Sequence, residues 1–218
     1  MKKLTLVAAL VASSFAVGAN ASSTSATVNI TGKVIPGACT ITANGVGGTI
    51  DFGTIKSSEL TGSTVTRSQN ASLSIDCQTD TTAFVKVSGS NGISAANNYY
   101  FATDQEFANY AVNLSNITAS GGNTDGSVAI PGTGEVLTLE NIGTASLVQA
   151  GNGKSLNFPA NGQYFTPKAS GGNRAATFRT LNADLTVIAK IDSAKAKEAV
   201  KGGEKVFTSV ATFELNYI

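Results

Sequence analysis

The chain has 218 residues, with 15 basic and 14 acidic side chains, no histidine and two cysteines. A length of this order suits one domain, and the near-neutral charge leaves no basic excess to follow a phosphate backbone, so nucleic acid is not an expected partner. Without histidine, most general acid–base and triad mechanisms are excluded, and a metal shell built on the cysteines has no imidazole to complete it.

The first residues read "MKKLTLVAALVASSFAVGANAS". Two lysines, an apolar run from Leu4 to Val17 and the small residues Ala19-Asn20-Ala21 form a cleavable export signal, with cleavage expected after Ala21. Ser13, Ser14 and Gly18 break the run, which is too short for a comfortable membrane span. No later stretch resembles one, so no transmembrane segment is expected after cleavage. Losing Lys2 and Lys3 leaves 13 basic residues against 14 acidic. Gly, Ser, Thr, Asn and Ala are plentiful and charges sparse, as in an exported, turn-rich β protein.

In chain order, "ATVNITGKVI" alternates: Ala26, Val28 and Ile30 face one way, Thr27, Asn29 and Thr31 the other. Pro36-Gly37 punctuates it. "ACTIT" and "TIDFG" read as short strands separated by the turn signal "NGVGG". In "ASLSIDC", Leu73 and Ile75 share a face with Cys77. "AFVKVSG" follows, with Phe84 between Ala83 and Val85, and "NYAVNLSNI" alternates through Tyr110, Val112 and Leu114. "EVLTLENI" and "ADLTVIAKI" are further strands. The stretch from about Ser120 to Asn173 is rich in Gly and Asn and reads as long loops and hairpins inside one domain. "SAKAKEAVKGGEK" (Ser193 to Lys205) carries helix formers stopped by Gly202-Gly203. It reads as a solvated loop with one or two helical turns. Its functional alternative is a basic docking patch made by Lys195, Lys197, Lys201 and Lys205. The last stretch, "VFTSVATFELNYI", places Phe207, Ser209, Ala211, Phe213, Leu215 and Tyr217 on one side of a strand that runs to the final residues. Short strands with polar, Gly-rich turns predict an all-β sandwich or barrel.

Cys39 and Cys77 form an even pair in a chain with an export signal, which predicts a disulfide. A loop closed over 38 positions contributes roughly 3–4 kcal/mol in the chain-entropy account. No Gly-x-Ser-x-Gly, Walker-type or zinc motif is present. Asp76, Asp80, Asp104, Glu106, Asp125, Glu135, Glu140 and Asp184 show no spacing that selects a catalytic pair. The glycosylation triplets at Asn29, Asn70, Asn113 and Asn116 matter only in a cell that glycosylates them, and the short lysine-led signal looks bacterial. No catalytic residue, metal site or cofactor is therefore expected.

Four features in order, "TVNITGKVIPGACTI", "TIDFGTIKSSEL", "ASLSIDC" and the alternating C-terminus with penultimate Tyr217, resemble the pilin subunits of Gram-negative chaperone–usher fimbriae. The region from about Gly89 to Ala183 carries little of the match. The resemblance implies an incomplete immunoglobulin-like β-sandwich with one disulfide, lacking its last strand. A groove then stays open beside the C-terminal strand, with Phe207, Phe213, Leu215 and Tyr217 on its wall. In that family a periplasmic chaperone lends a strand to the groove. At the outer-membrane usher, the N-terminal extension of another fimbrial subunit replaces it, a form of β-strand addition. The implied division is a signal peptide at 1–21, a donor-strand extension at 22–31 and a pilin-like sandwich at 32–218. The donor residues are Ala26, Val28 and Ile30, and each buried Val or Ile contributes on the order of 1.5–3 kcal/mol. Two departures stand out. The extension before Gly32 is short, and Lys205 holds a place where the family often has glycine. The implied function is a structural subunit of a surface fimbria that contributes to cell adhesion, exported through the periplasm to the cell surface. The alternative is a self-complete exported or periplasmic binding module that does not polymerise, with a ligand site around Tyr99, Tyr100 and Phe101 or the Gly/Asn-rich loops.

Overall fold

A computed structural model of the chain describes residues 38–44, 49–132, 137, 141, 144–159 and 163–218. The expected signal peptide, the 22–31 extension with Ala26, Val28 and Ile30, and all of "EVLTLENI" except Leu137 and Asn141 lie outside the described residues. The described residues belong to one unit spanning 35–218.

Alternation of apolar residues builds eleven strands among the described residues, and all their pairings are antiparallel. They are β1 (Cys39–Asn44), β2 (Thr64–Thr81), β3 (Ala83–Gly89), β4 (Phe101–Ala102), β5 (Ala108–Ser120), β6 (Thr124–Pro131), β7 (Leu147–Gln149), β8 (Leu156–Phe158), β9 (Tyr164–Ala169), β10 (Phe178–Asp192) and β11 (Ala211–Tyr217). One sheet runs β1-β2-β10-β5, and β4 and β8 share the far edge of β5. The other runs β11-β3-β9-β6-β7. The protein is an all-β sandwich of these two sheets, with one disulfide joining Cys39 to Cys77.

The period-2 pattern places the core between the sheets. From β10, Leu181, Leu185, Ala189 and Ile191 are buried at alternate positions, and from β2 Leu73, Ile75 and Cys77 are. Tyr110, Val112 and Leu114 of β5 keep the same phase, then a bulge shifts it so that Ile117 is the next buried residue. Asn116 sits in that bulge with φ 51, and its Nδ2 donates to Asp184 Oδ2 at 2.7 Å. A short polar side chain tolerates the left-handed region at modest cost, which suits Asn to this place. In β3, Ala83, Phe84 and Val85 are all buried. Phe84 points to the outer face, where Ala129, Leu137 and Leu147 cover it.

A second apolar cluster closes one end of the sandwich: Leu60, Val65, Phe107, Ala189, Ile191 and Ala196. Ala196 belongs to α1 (Ser193–Ala199). The Asp192 carboxylate caps α1 by accepting from the Ala194 and Lys195 amides at 3.0 Å each. Gly203 follows the helical turns at φ 113, a conformation open to glycine and strained for other residues. Lys195, Lys197, Lys201 and Lys205 are all exposed, and Lys201 pairs with Glu198 on its own turn. The helical turns ended by Gly202-Gly203 match the sequence expectation.

Two expected elements differ. Thr49–Gly53 is not a strand: Asp51 Oδ1 accepts from the Gly53 amide at 2.8 Å and Gly53 adopts φ 67, so the chain turns here. Ile50 and Phe52 still pack half-buried against the core. The C-terminal strand begins at Ala211 rather than at Phe207.

Strands β6 and β9 carry a partly buried ion pair. Lys168 is 8% exposed, and its ammonium contacts the Asp125 carboxylate on the adjacent strand. Burial alone would raise the Asp125 pKa. The hydrogen bonds from Lys168 and from the Ser127 hydroxyl and amide, with the Lys168 charge, overcome that and hold it at about 2. A depressed carboxylate pKa stabilises the fold fully above the ordinary value of 3.8, and the contribution is lost as pH falls toward 2. Asp125→Asn is therefore expected to destabilise the protein at pH 7, by on the order of 1–3 kcal/mol because the Lys168 ammonium loses its partner. The difference from wild type should shrink between pH 4 and pH 2, read from denaturant unfolding across that range.

Candidate functional site

The sandwich has two edge strands that face each other across a gap. β11 pairs only with β3 among the described strands, and β1 only with β2. In an antiparallel ladder, opposed residues alternate between pairs that exchange both hydrogen bonds and pairs that exchange none. The Ser90 amide donates to Val210 O and the Ile218 amide to Thr82 O. Those bonds place the even residues of β11 on the β3 side. The backbone N–H and C=O of Ala211, Phe213, Leu215 and Tyr217 therefore point away from β3. By the same reasoning, the bond from the Gln78 amide to Ala38 O directs the backbone groups of Cys39, Ile41 and Ala43 away from β2.

The side chains of these edge residues face inward but stay incompletely covered. Ala211, Phe213, Leu215 and Tyr217 of β11, with Cys39 and Ile41 of β1, are half-buried against the core. Between the edges lies an open cleft of about 410 Å³ that reaches into the interior. Val112, Leu185 and Val187 of the first sheet line it together with Ala211 and Phe213 of the second. Thr103, Tyr110, Thr208 and Ser209 place hydroxyl-bearing side chains at one end.

Both ends of the cleft are fixed. At one end, side-chain bonds add to the backbone bonds that hold Thr208 and Val210. Asp104 accepts from the Thr208 amide at 2.7 Å and from its hydroxyl at 2.9 Å. Ser209 Oγ donates to Ala102 O at 3.1 Å and contacts the Tyr110 hydroxyl, which in turn donates to Val210 O. Burial pushes the Tyr110 pKa up, and the Ser209 hydrogen bond offsets part of the rise, so the group stays a neutral donor at physiological pH. At the other end, the Cys39 amide donates to the Tyr217 hydroxyl at 3.1 Å, directly where the disulfide ties β1 to β2. Cys39 lies by Tyr217, while Ala43 and Phe213 line the same cleft, so β1 and β11 run in opposite directions along the gap.

Phe213, Leu215 and Tyr217 thus stand together on β11. Phe207 lies outside that strand. Its ring stacks on Phe52 at 6.2 Å and meets the edge of Phe107 at 6.3 Å, so it lines the cleft end from the second apolar cluster. The residues at Tyr99, Tyr100 and Phe101 are not brought together as a site. Phe101 is fully buried, Tyr100 lies under the Lys190 ammonium and Tyr99 is exposed. Four of the carboxylates considered for catalysis have structural partners: Asp80 pairs with Arg179, Asp104 holds Thr208, Asp125 holds Lys168 and Asp184 accepts from Asn116. Among the described residues, no group of three or more His, Cys, Asp or Glu is placed to hold a metal, and no helix is long and apolar enough to cross a membrane. Sequence reasoning missed Ala43, Leu185 and Val187 as cleft residues, because a strand's own pattern marks the inward positions without saying which of them border a cavity.

A family model described as "Protein of unknown function (DUF1120)" matches residues 28–146, more than half of the chain, and the chain belongs to that family. No curated protein matches it. Among solved structures, the chain is similar to the P pilus rod subunit PapA, with 17% identity over 88% of this chain and 99% of that one and a TM-score of 0.39. A superposition that loose carries no argument about this chain.

The disulfide holds β1, one wall of the cleft, to the rest of its sheet. Replacing both Cys39 and Cys77 with Ser is expected to lower the unfolding free energy by roughly 3–4 kcal/mol, read from urea denaturation under oxidising conditions.

Proposed function

We propose that this DUF1120 member is a pilin-like structural subunit whose sandwich is completed by a strand from another molecule. The observation that carries the reading is the pair of facing strand edges, β11 and β1, above an open apolar cleft. An unpaired strand edge offers a row of donors and acceptors to an incoming chain, and inward side chains that stay half-buried leave apolar surface for that chain to cover. The backbone supplies affinity without regard to sequence, while alternate side chains entering the cleft set the register.

The order of sequence motifs that resembles fimbrial pilins supplies the partners. In this reading, a periplasmic chaperone first lends the strand. The N-terminal extension of another subunit, with Ala26, Val28 and Ile30 as inward residues, replaces it at an outer-membrane usher. The protein then has no catalytic task, binds no cofactor and works as a structural element that contributes to cell adhesion at the surface. The Cys39–Cys77 disulfide is consistent with an exported protein.

Phe213→Asp and Leu215→Asp each put a charge where an incoming strand buries an apolar side chain. Each variant is expected to reduce capture by the cognate chaperone at least about tenfold in pull-down titration and to remove the protein from the cell surface. Deleting residues 22–31 is expected to leave chaperone capture intact and abolish assembly, followed by electron microscopy of surface filaments. Filaments from the truncated chain, or unaltered capture of both charged variants, contradict the proposal.

A further inference from the structure

We infer that Tyr217 is the end stop of the gap: an incoming strand pairs along β11 through Leu215, and the Tyr217 hydroxyl, bonded to the Cys39 amide, keeps it from going further. The inference rests on the proposed strand-accepting role of the cleft and adds to it the residue that limits how far pairing extends.

Three observations converge on this position. First, the cleft is lined by Ala211 and Phe213 but not by Leu215 or Tyr217, so the open space lies toward the Phe207 end of β11. Second, the Tyr217 side chain spans the gap and its hydroxyl accepts from the Cys39 amide at 3.1 Å. That amide is one of the backbone groups of β1 that ladder geometry turns toward the gap, so Tyr217 occupies a donor that an inserted strand would otherwise use. Third, Cys39 is the residue of β1 that cannot swing away, because its side chain is covalently tied to Cys77 directly across the ladder. Among the described residues, the Ala43 end of β1 is held to β2 by ladder pairing and carries no covalent link. The gap is therefore pinned covalently at its Cys39 end and by hydrogen bonds at the other.

The consequence is a register limit. Pockets for alternate side chains repeat every two residues and a slip of one residue turns every side chain to the wrong face, so a strand edge alone leaves slips of two open. A stop at Tyr217 removes the slips that extend past the Cys39 end. Tyr217 acts as a positioning residue here, since its hydroxyl needs no contact with the incoming side chains.

Amide hydrogen exchange of the full chain, followed by NMR, tests this with a synthetic peptide of residues 22–31 as the incoming strand. In wild type, saturating peptide is expected to slow exchange at Phe213 and Leu215 by at least about tenfold and to leave the Tyr217 amide unchanged. In Tyr217→Phe, which keeps the ring and loses the hydroxyl, protection should extend to residue 217, and the Cys39 amide should exchange faster without peptide. Peptide-induced protection of the Tyr217 amide in wild type overturns the end stop. So does a Tyr217→Phe variant whose protection pattern matches wild type. Absence of peptide-induced protection at every β11 position instead counts against the strand-accepting role itself, which separates the two failures.

Discussion

A sandwich of two antiparallel sheets must dispose of its edges. Backbone donors and acceptors on an edge strand want partners, and the seam between two edges exposes whatever core lies behind it. In this protein the constraint is met unequally. The far edge of β5 is shared by two short strands, β4 and β8, laid end to end. On the other flank β1 and β11 are not paired with each other and border an open cleft, bridged at one end by the Tyr217–Cys39 hydrogen bond. The disulfide, the Asp104–Thr208 anchor and the Tyr217–Cys39 hydrogen bond all serve to hold these two strands at the rim of that opening.

The geometry separates two kinds of energy. The core built from β2, β10 and β5 against β3 and β9 is already buried, including Val112, Leu185 and Val187 behind the cleft. Along the open flank, Phe213, Leu215 and Tyr217 gain only part of the burial available to them, and large apolar side chains contribute on the order of 1.5–3 kcal/mol when fully covered. The protein therefore folds with a reserve of unrealised burial concentrated in one place. Since β1 and β11 run in opposite directions, a strand laid between them is parallel to one wall and antiparallel to the other. Either orientation leaves one regular ladder of each kind.

Much of this was legible in the residues. Strict alternation gave Leu73, Ile75 and Cys77 a common face, set Val112 and Leu114 in phase, and marked 211–217 as a strand. The cysteine pair was readable from number and context alone. Other parts were hidden for physical reasons. Strand β2 extends back to Thr64 through "TVTRSQN", where only Val65 is buried, because cross-strand pairing with β10 holds a stretch that has no apolar face of its own. Strands β6 and β9 lie in the stretch whose Gly and Asn content reads as long loops and hairpins. "TIDFG" has the composition of a strand, but the Asp51 side chain bonds the Gly53 amide and turns the chain. Phe207 keeps the phase of the final strand, yet Asp104 captures Thr208 and Ala102 O captures the Ser209 hydroxyl before the strand begins. The bonds at Thr208 and Ser209 depend on residues about a hundred positions away, which no periodicity records.

The central claim is that the cleft beside β11 is completed by a β-strand and by nothing less specific. The most direct measurement is the melting temperature of the purified chain with and without a peptide of residues 22–31, against a control of identical composition with the alternation scrambled. The account predicts a concentration-dependent rise with the alternating peptide and none with the scrambled one, as expected for a ligand that binds the folded state alone. An equal rise with both peptides, or no rise with either, contradicts it.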